Sequence, residues 1–104
     1  MSRLLPEDLA STVPALGSTP TEKDPIARVK FFMPDYSWFW YMTEYDPERK
    51  LGFGLADLDE RALGYFSLEE METMKGPFGC PIQRDVQWTP RPLSQCGVDA
   101  EEWG

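Results

Sequence analysis

The sequence predicts an α+β fold, an antiparallel sheet of four to five strands with two short helices packed on it. Three observations carry that expectation. Val29 to Asp46, VKFFMPDYSWFWYMTEYD, holds a density of Phe, Trp and Tyr found nowhere else in the chain. Further short apolar runs follow at turn-separated intervals, with 10 prolines and 8 glycines as punctuation. Ser67-Leu68-Glu69-Glu70 is a capping box, which specifies a helix start.

The 104 residues suit one domain. Its predicted parts are an N-terminal helix over 1–16, a loop over 17–25, a sheet-and-helix core over 28–92 and an acidic tail over 97–104. In the helix, Pro6 fits the first turn, where its missing N–H is not needed. Glu7 and Asp8 face the positive end of the helix dipole. Leu5, Leu9 and Val13 share one face at helical spacing, and Pro14 ends the run. The segment GSTPTEKDP has loop composition.

Arg28 to Met33 is rich in β-branched and aromatic residues that suit a pleated, half-buried surface. Pro34-Asp35-Tyr36-Ser37 is a turn in which Asp and Ser can bond nearby backbone. Trp38 to Tyr45 is the returning strand. Strict alternation puts Trp38, Trp40, Met42 and Glu44 on one face and Phe39, Tyr41, Thr43 and Tyr45 on the other. Both faces are bulky, so the strand is expected to be covered on two sides. Asp46-Pro47-Glu48 ends it.

Leu51 to Leu58, LGFGLADL, is the third strand, with Gly52, Gly54 and Ala56 on one face leaving room for rings from the strand before. Its glycines lack the GxGxxG or Lys-Ser/Thr context of a phosphate loop. Ala62 to Phe66 is a fourth short strand. The helix from Ser67 is expected to run about two turns, with Leu68, Met71 and Met74 inward. Gly76 sits where a left-handed C-cap is expected. Arg84 to Thr89 alternates as a last strand, Pro90-Arg91-Pro92 ends it, and Leu93 to Cys96 fits a turn of helix. Gly97 to Gly104 is acidic and expected to fray, although Trp103 is able to fold back on the body.

Charge and composition narrow the function. There are 18 acidic and 10 basic residues and no histidine, a net charge of −8. That balance opposes binding to nucleic acid through phosphates and to anionic membranes. No His means no His-based acid–base catalysis and no Ser-His-Asp or Cys-His pair. Cys80 has no base or basic cluster adjacent in sequence, so a thiol of ordinary acidity is expected. Cys80 and Cys96 lack the spacing of a zinc site. No apolar run nears the ~20 residues of a membrane span. MSRLLPEDLA carries acids where an export signal has an apolar core, which predicts a cytoplasmic protein with reduced thiols, so a Cys80–Cys96 disulfide is the minority expectation. The expectation is a protein that is not an enzyme, with no cofactor and no metal.

The acids fall in clusters at element ends. Glu44, Asp46 and Glu48, then Asp57, Asp59 and Glu60, then Glu69, Glu70 and Glu72 are the candidate partner-binding residues. If they share a face, they present charge to a basic protein surface, with salt-sensitive binding. A solvated acidic surface that maintains solubility is the simpler expectation. Two alternatives stay open: a small hydrolase or nuclease-like enzyme using carboxylates and a divalent metal, and a structural or regulatory accessory of conjugation machinery.

The runs VKFFMPD, WFWYMTE, GFGLADL, LGYFSLEEME and GPFGCPIQRDVQWTPRPLS, in this order, resemble a family known as domain of unknown function 2958. The resemblance covers about Val29 to Pro92. The chain departs from it at Cys80, where an aliphatic residue is more usual, and at Gln83, where an acid is common. The first departure speaks against Cys80 as a nucleophile. The family is found mainly on plasmids, phages and integrative elements of bacteria, and it implies no reaction or catalytic residues. It implies an accessory role on a mobile element. An anti-defence inhibitor, anti-CRISPR or anti-restriction, that occupies the basic groove of a nucleic-acid-binding host complex fits both that setting and the charge.

Overall fold

The computed structural model describes residues 4–18 and 24–96. The expected acidic tail with Trp103, and the centre of the 17–25 loop, lie outside the described residues. Strands β2 (Val29–Met33), β3 (Trp38–Asp46), β4 (Leu51–Asp57), β5 (Arg61–Ser67) and β6 (Gln83–Arg84) form one antiparallel sheet. Its order is β5-β4-β3-β2-β6. A two-stranded ribbon pairs β1 (Ile26–Ala27) with β7 (Arg91–Pro92). Helix α1 spans Glu7–Ala10, α2 spans Leu68–Met71, and Leu93–Gln95 make a 3₁₀ turn. The fold is α+β, as the sequence predicts. Among the described residues no helix is long and apolar enough to cross a membrane.

Both faces of the sheet are covered. On one, the N-terminal segment and α2 bring Leu4, Leu5, Val13, Leu68 and Met71 over Phe31, Met33, Trp40 and Met42. Each of these large apolar side chains contributes about 1.5–3 kcal/mol on full burial. On the other face the C-terminal segment lays Leu93 and Cys96 against Tyr41 and Leu55, with Phe39 and Trp88 at the margin. The central strand β3 is therefore buried from Trp40 to Tyr45. That two-sided burial is what its aromatic content on both faces requires.

Strict alternation along β3 fails at one point. The β3–β4 register shifts between Met42 and Glu44, a β-bulge. The extra residue moves Tyr45 to the face of Trp40 and Met42, where it joins the core. The small residues of β4 do make room, but for different neighbours than expected. The Met42 thioether and the Phe66 ring lie over Gly52. A Cβ at Gly54 would run into the carbonyl oxygen of Tyr41.

Both helices are shorter than expected. In α1, Pro6 stands at the N-cap, its carbonyl accepts from the Ala10 N–H at 2.8 Å, and one turn is all that forms. Leu4, Leu5 and Val13 anchor the segment, although Leu9 is only half-buried. In α2, Ser67 caps as expected, accepting from the Glu70 N–H at 3.2 Å. The helix ends at Met71, leaving Met74 exposed rather than inward. Gly76 is not left-handed, since among the described glycines only Gly17 and Gly79 have positive φ. Its lack of a side chain serves the carboxylate of Asp35, which fills the space a Cβ would take.

The expected last strand is two residues long, Gln83–Arg84. The chain turns away at Asp85, whose carboxylate accepts from the Gln87 N–H at 3.0 Å and whose carbonyl accepts from the Trp88 N–H at 3.2 Å. Val86 is left 75% exposed. Trp88 instead anchors the crossing to the other face by donating its indole N–H to the Ala27 carbonyl at 3.0 Å.

Candidate functional site

The meander splits the nine candidate acids. Asp46 pairs with Leu51 and Leu51 with Ser67, so the β3–β4 turn and α2 share one end of the sheet. Asp57 pairs with Arg61 at the other end. Seven residues of strand, at roughly 3.3 Å each, put about 20 Å between them. Asp46, Glu48, Glu69, Glu70 and Glu72 are thus brought together, while Asp57, Asp59 and Glu60 are not part of that group. Glu44 belongs to neither surface. It is 6% exposed, and its carboxylate accepts from the Gly17 N–H at 2.7 Å, tying the N-terminal segment to β3.

Within the first group the roles differ. Asp46 accepts from the Glu48 N–H at 3.0 Å and pairs with Arg49 at 3.0 Å, so it shapes the turn. Glu72 accepts from the Leu4 N–H at 3.3 Å. Glu48, Glu69 and Glu70 are exposed. At the same end of the sheet is a hollow of about 380 Å³ lined by Leu16, Gly17, Arg49, Leu51 and Tyr65. Tyr65 is 68% exposed, its ring set edge-on to Phe53 at 5.0 Å. At the far end Asp57 pairs with Arg61 at 3.8 Å, and Asp59 accepts from the Trp38 indole at 3.2 Å.

A second concavity, of about 300 Å³, lies on the C-terminal face and is lined by Lys30, Phe39, Tyr41, Asp57, Trp88, Arg91 and Gln95. Lys30 stands directly across the β2–β3 pair from Tyr41. Its ammonium nitrogen is 4.7 Å from the centre of the Phe39 ring, 5.7 Å from that of Tyr41 and 5.5 Å from that of Trp88. The Arg91 guanidinium lies 4.2 Å from the Trp88 ring centre. Burial pushes the Tyr41 hydroxyl up to about 12, with Cys96 and Asp57 adding and Arg61 and Arg91 opposing. It is a protonated donor at neutral pH. Sequence order hides this cleft, because Lys30 and Tyr41 come from β2 and β3, and Trp88 and Arg91 from the distant C-terminal loop and β7.

The thiols show no activation. A hydrogen bond to the Asp35 carboxylate raises the pKa of Cys80 above its ordinary value, with desolvation and the carboxylate charge adding. This corrects the expected ordinary acidity in the direction of less thiolate. Burial pushes Cys96 up to about 11. Both are free thiols, as expected for the unpaired state. Asp35 does not serve its own turn. Desolvation works against its charge, but hydrogen bonds from the Cys80 thiol and from the N–H groups of Phe78 (2.9 Å) and Cys80 (3.3 Å) prevail and lower it. Among the described residues no three Cys, Asp or Glu side chains converge as a metal site would need.

The family model described as "Protein of unknown function (DUF2958)" matches residues 4–104. No curated protein and no solved structure matches the chain.

Proposed function

Because the chain belongs to the DUF2958 family, whose description assigns no activity, we propose its function from its surfaces: a non-enzymatic protein-binding module that meets a basic partner with one end of its sheet. The observation that carries this reading is the 68%-exposed Tyr65 in the lining of a hollow at the same end of the sheet as Glu48, Glu69 and Glu70. Protein interfaces combine an aromatic or Arg anchor in an apolar centre with a polar rim. Leu16, Leu51, Tyr65 and Arg49 supply the centre, and the carboxylates supply the rim. With a net charge of −8, the field steers a positively charged partner.

The partner this surface fits is a cytoplasmic host protein with a basic nucleic-acid groove. In the mobile-element setting that the family resemblance implies, an anti-CRISPR or anti-restriction role is the specific form. Affinity capture from host lysate, followed by reconstitution with the purified partner, tests it. Binding weakens steeply between 0.05 and 0.5 M salt, on the order expected of charge-steered complexes. Tyr65→Ala and the combined E48K/E69K/E70K variant each lose affinity by about tenfold or more. Salt-independent binding, or full affinity in both variants, refutes the proposal. Stabilisation by magnesium or manganese with accompanying nuclease activity would support the carboxylate hydrolase instead.

A further inference from the structure

The cleft around Trp88 has properties that the acidic end does not share. In a chain with 18 acids and 10 bases, cations are expected to find carboxylates. Among the described residues, the ion pairs are Arg49–Asp46 and Arg61–Asp57, and neither Lys30 nor Arg91 is in one. Instead both are held against the same indole ring. Arg91 donates its Nε–H to the Thr89 carbonyl at 3.2 Å, a bond that does not use its terminal N–H groups. Two like charges at one ring repel each other. An anion between them relieves that repulsion and receives charge-assisted hydrogen bonds.

The walls add a second requirement. Phe39 and Trp88 are half-buried rings at the edge of the core, and the cleft of about 300 Å³ is at the small end of ligand pockets. The remaining polar groups are the Tyr41 hydroxyl, the Gln95 amide and the Asp57 carboxylate, the last paired with Arg61. Donors therefore outnumber acceptors, and flat apolar surface lies beside them. We propose that the cleft bounded by Lys30, Phe39, Trp88 and Arg91 binds a small anion that carries a flat ring, its phosphate or carboxylate between the two cations and its ring against the aromatic wall. This site is separate from the acidic end and does not depend on the reading given to that end.

The test is a titration of the full chain followed by ¹H–¹⁵N correlation spectra, with the Trp88 indole N–H as reporter. The probes are adenosine monophosphate and benzoate, with inorganic phosphate and adenosine as the two halves of the former. At least one ring-bearing anion is expected to saturate, and adenosine monophosphate to bind at least about tenfold tighter than either half. Lys30→Met keeps the apolar stem over the rings and removes the charge; Arg91→Gln keeps a planar polar end. Each is expected to weaken binding about tenfold while leaving the thermal midpoint within a few degrees. No saturable shift from either ring-bearing anion overturns the proposal, and the wild-type titration delivers that result without any variant. Equal affinity for inorganic phosphate, or affinity unmoved in both variants, overturns it as well.

Discussion

Gly54 and Gly64 face each other across the β4–β5 pair, yet the structure predicts opposite outcomes for the same substitution. At Gly54 an added Cβ would strike the Tyr41 carbonyl oxygen. That atom is backbone in the central strand, so it cannot swing aside as a side chain would. Relief requires β3 and β4 to separate next to the bulge at Met42–Glu44, where the ladder is already interrupted. Overpacking of this kind costs about 3 kcal/mol, which lowers Tm by roughly 10–20 °C in a domain of this size. At Gly64, on the edge strand, a Cβ meets nothing within 4 Å, and φ is not positive. There Gly→Ala restricts the unfolded chain and stabilises by about 0.5 kcal/mol. Urea unfolding followed by tryptophan fluorescence measures both, with the m-value as a check that two-state behaviour persists. Gly54→Ala within about 1 kcal/mol of wild type, or Gly64→Ala as damaging as Gly54→Ala, would refute the close β3–β4 approach.

Other expectations rest on single contacts. Ser67→Ala removes the cap on the Glu70 N–H and lowers stability by about 1 kcal/mol, read by the same unfolding experiment. The Asp35 carboxyl sits below its ordinary 3.8 when folded, so its contribution is whole above that value and is lost as pH falls through the lowered folded value. The stability gap between wild type and Asp35→Asn should therefore be open at pH 7 and narrow as pH falls below 3.8; a gap independent of pH contradicts the assignment. Gly76→Ala displaces the same carboxylate and should reproduce much of the Asp35→Asn loss. Iodoacetamide at pH 8.5 should label Cys80 slowly and Cys96 only on unfolding, given the raised pKa of both, and Asp35→Asn should speed the reaction at Cys80. Rapid labelling of Cys96 in the native protein would show that its burial is wrong.

Local chemistry is what made the sequence legible. The Ser67 cap was visible because its partner is three residues away. The hairpin of β2 and β3 was visible because a short turn fixes the pairing of two aromatic strands. The two-sided cover of β3 followed from its having no polar face. Features decided by distant partners were not visible. The bulge depends on how β3 meets β4, and it moved Tyr45 into the core. Asp35 resembled a turn residue bonding its neighbours, but its acceptor capacity goes to Phe78 and Cys80. Glu44 resembled a surface acid until the N-terminal segment closed over it and donated the Gly17 N–H.

The sequence alone determined an α+β domain built on an aromatic hairpin, its antiparallel pairing and an acidic balance that opposes phosphate binding by the surface as a whole. These follow from side-chain period, turn chemistry and net charge, all of which act along the chain or on its total. Which acids stand together was decided only by the meander, which carries alternate turns to opposite ends of the sheet. The cleft was likewise tertiary. Phe39 and Tyr41 have acids among their near neighbours in sequence, yet in space their neighbours are Lys30 across the β2–β3 pair and Trp88 and Arg91 from the returning C-terminal segment. Coulomb and stacking interactions depend on distance through space, and sequence separation does not fix that distance until the sheet has formed.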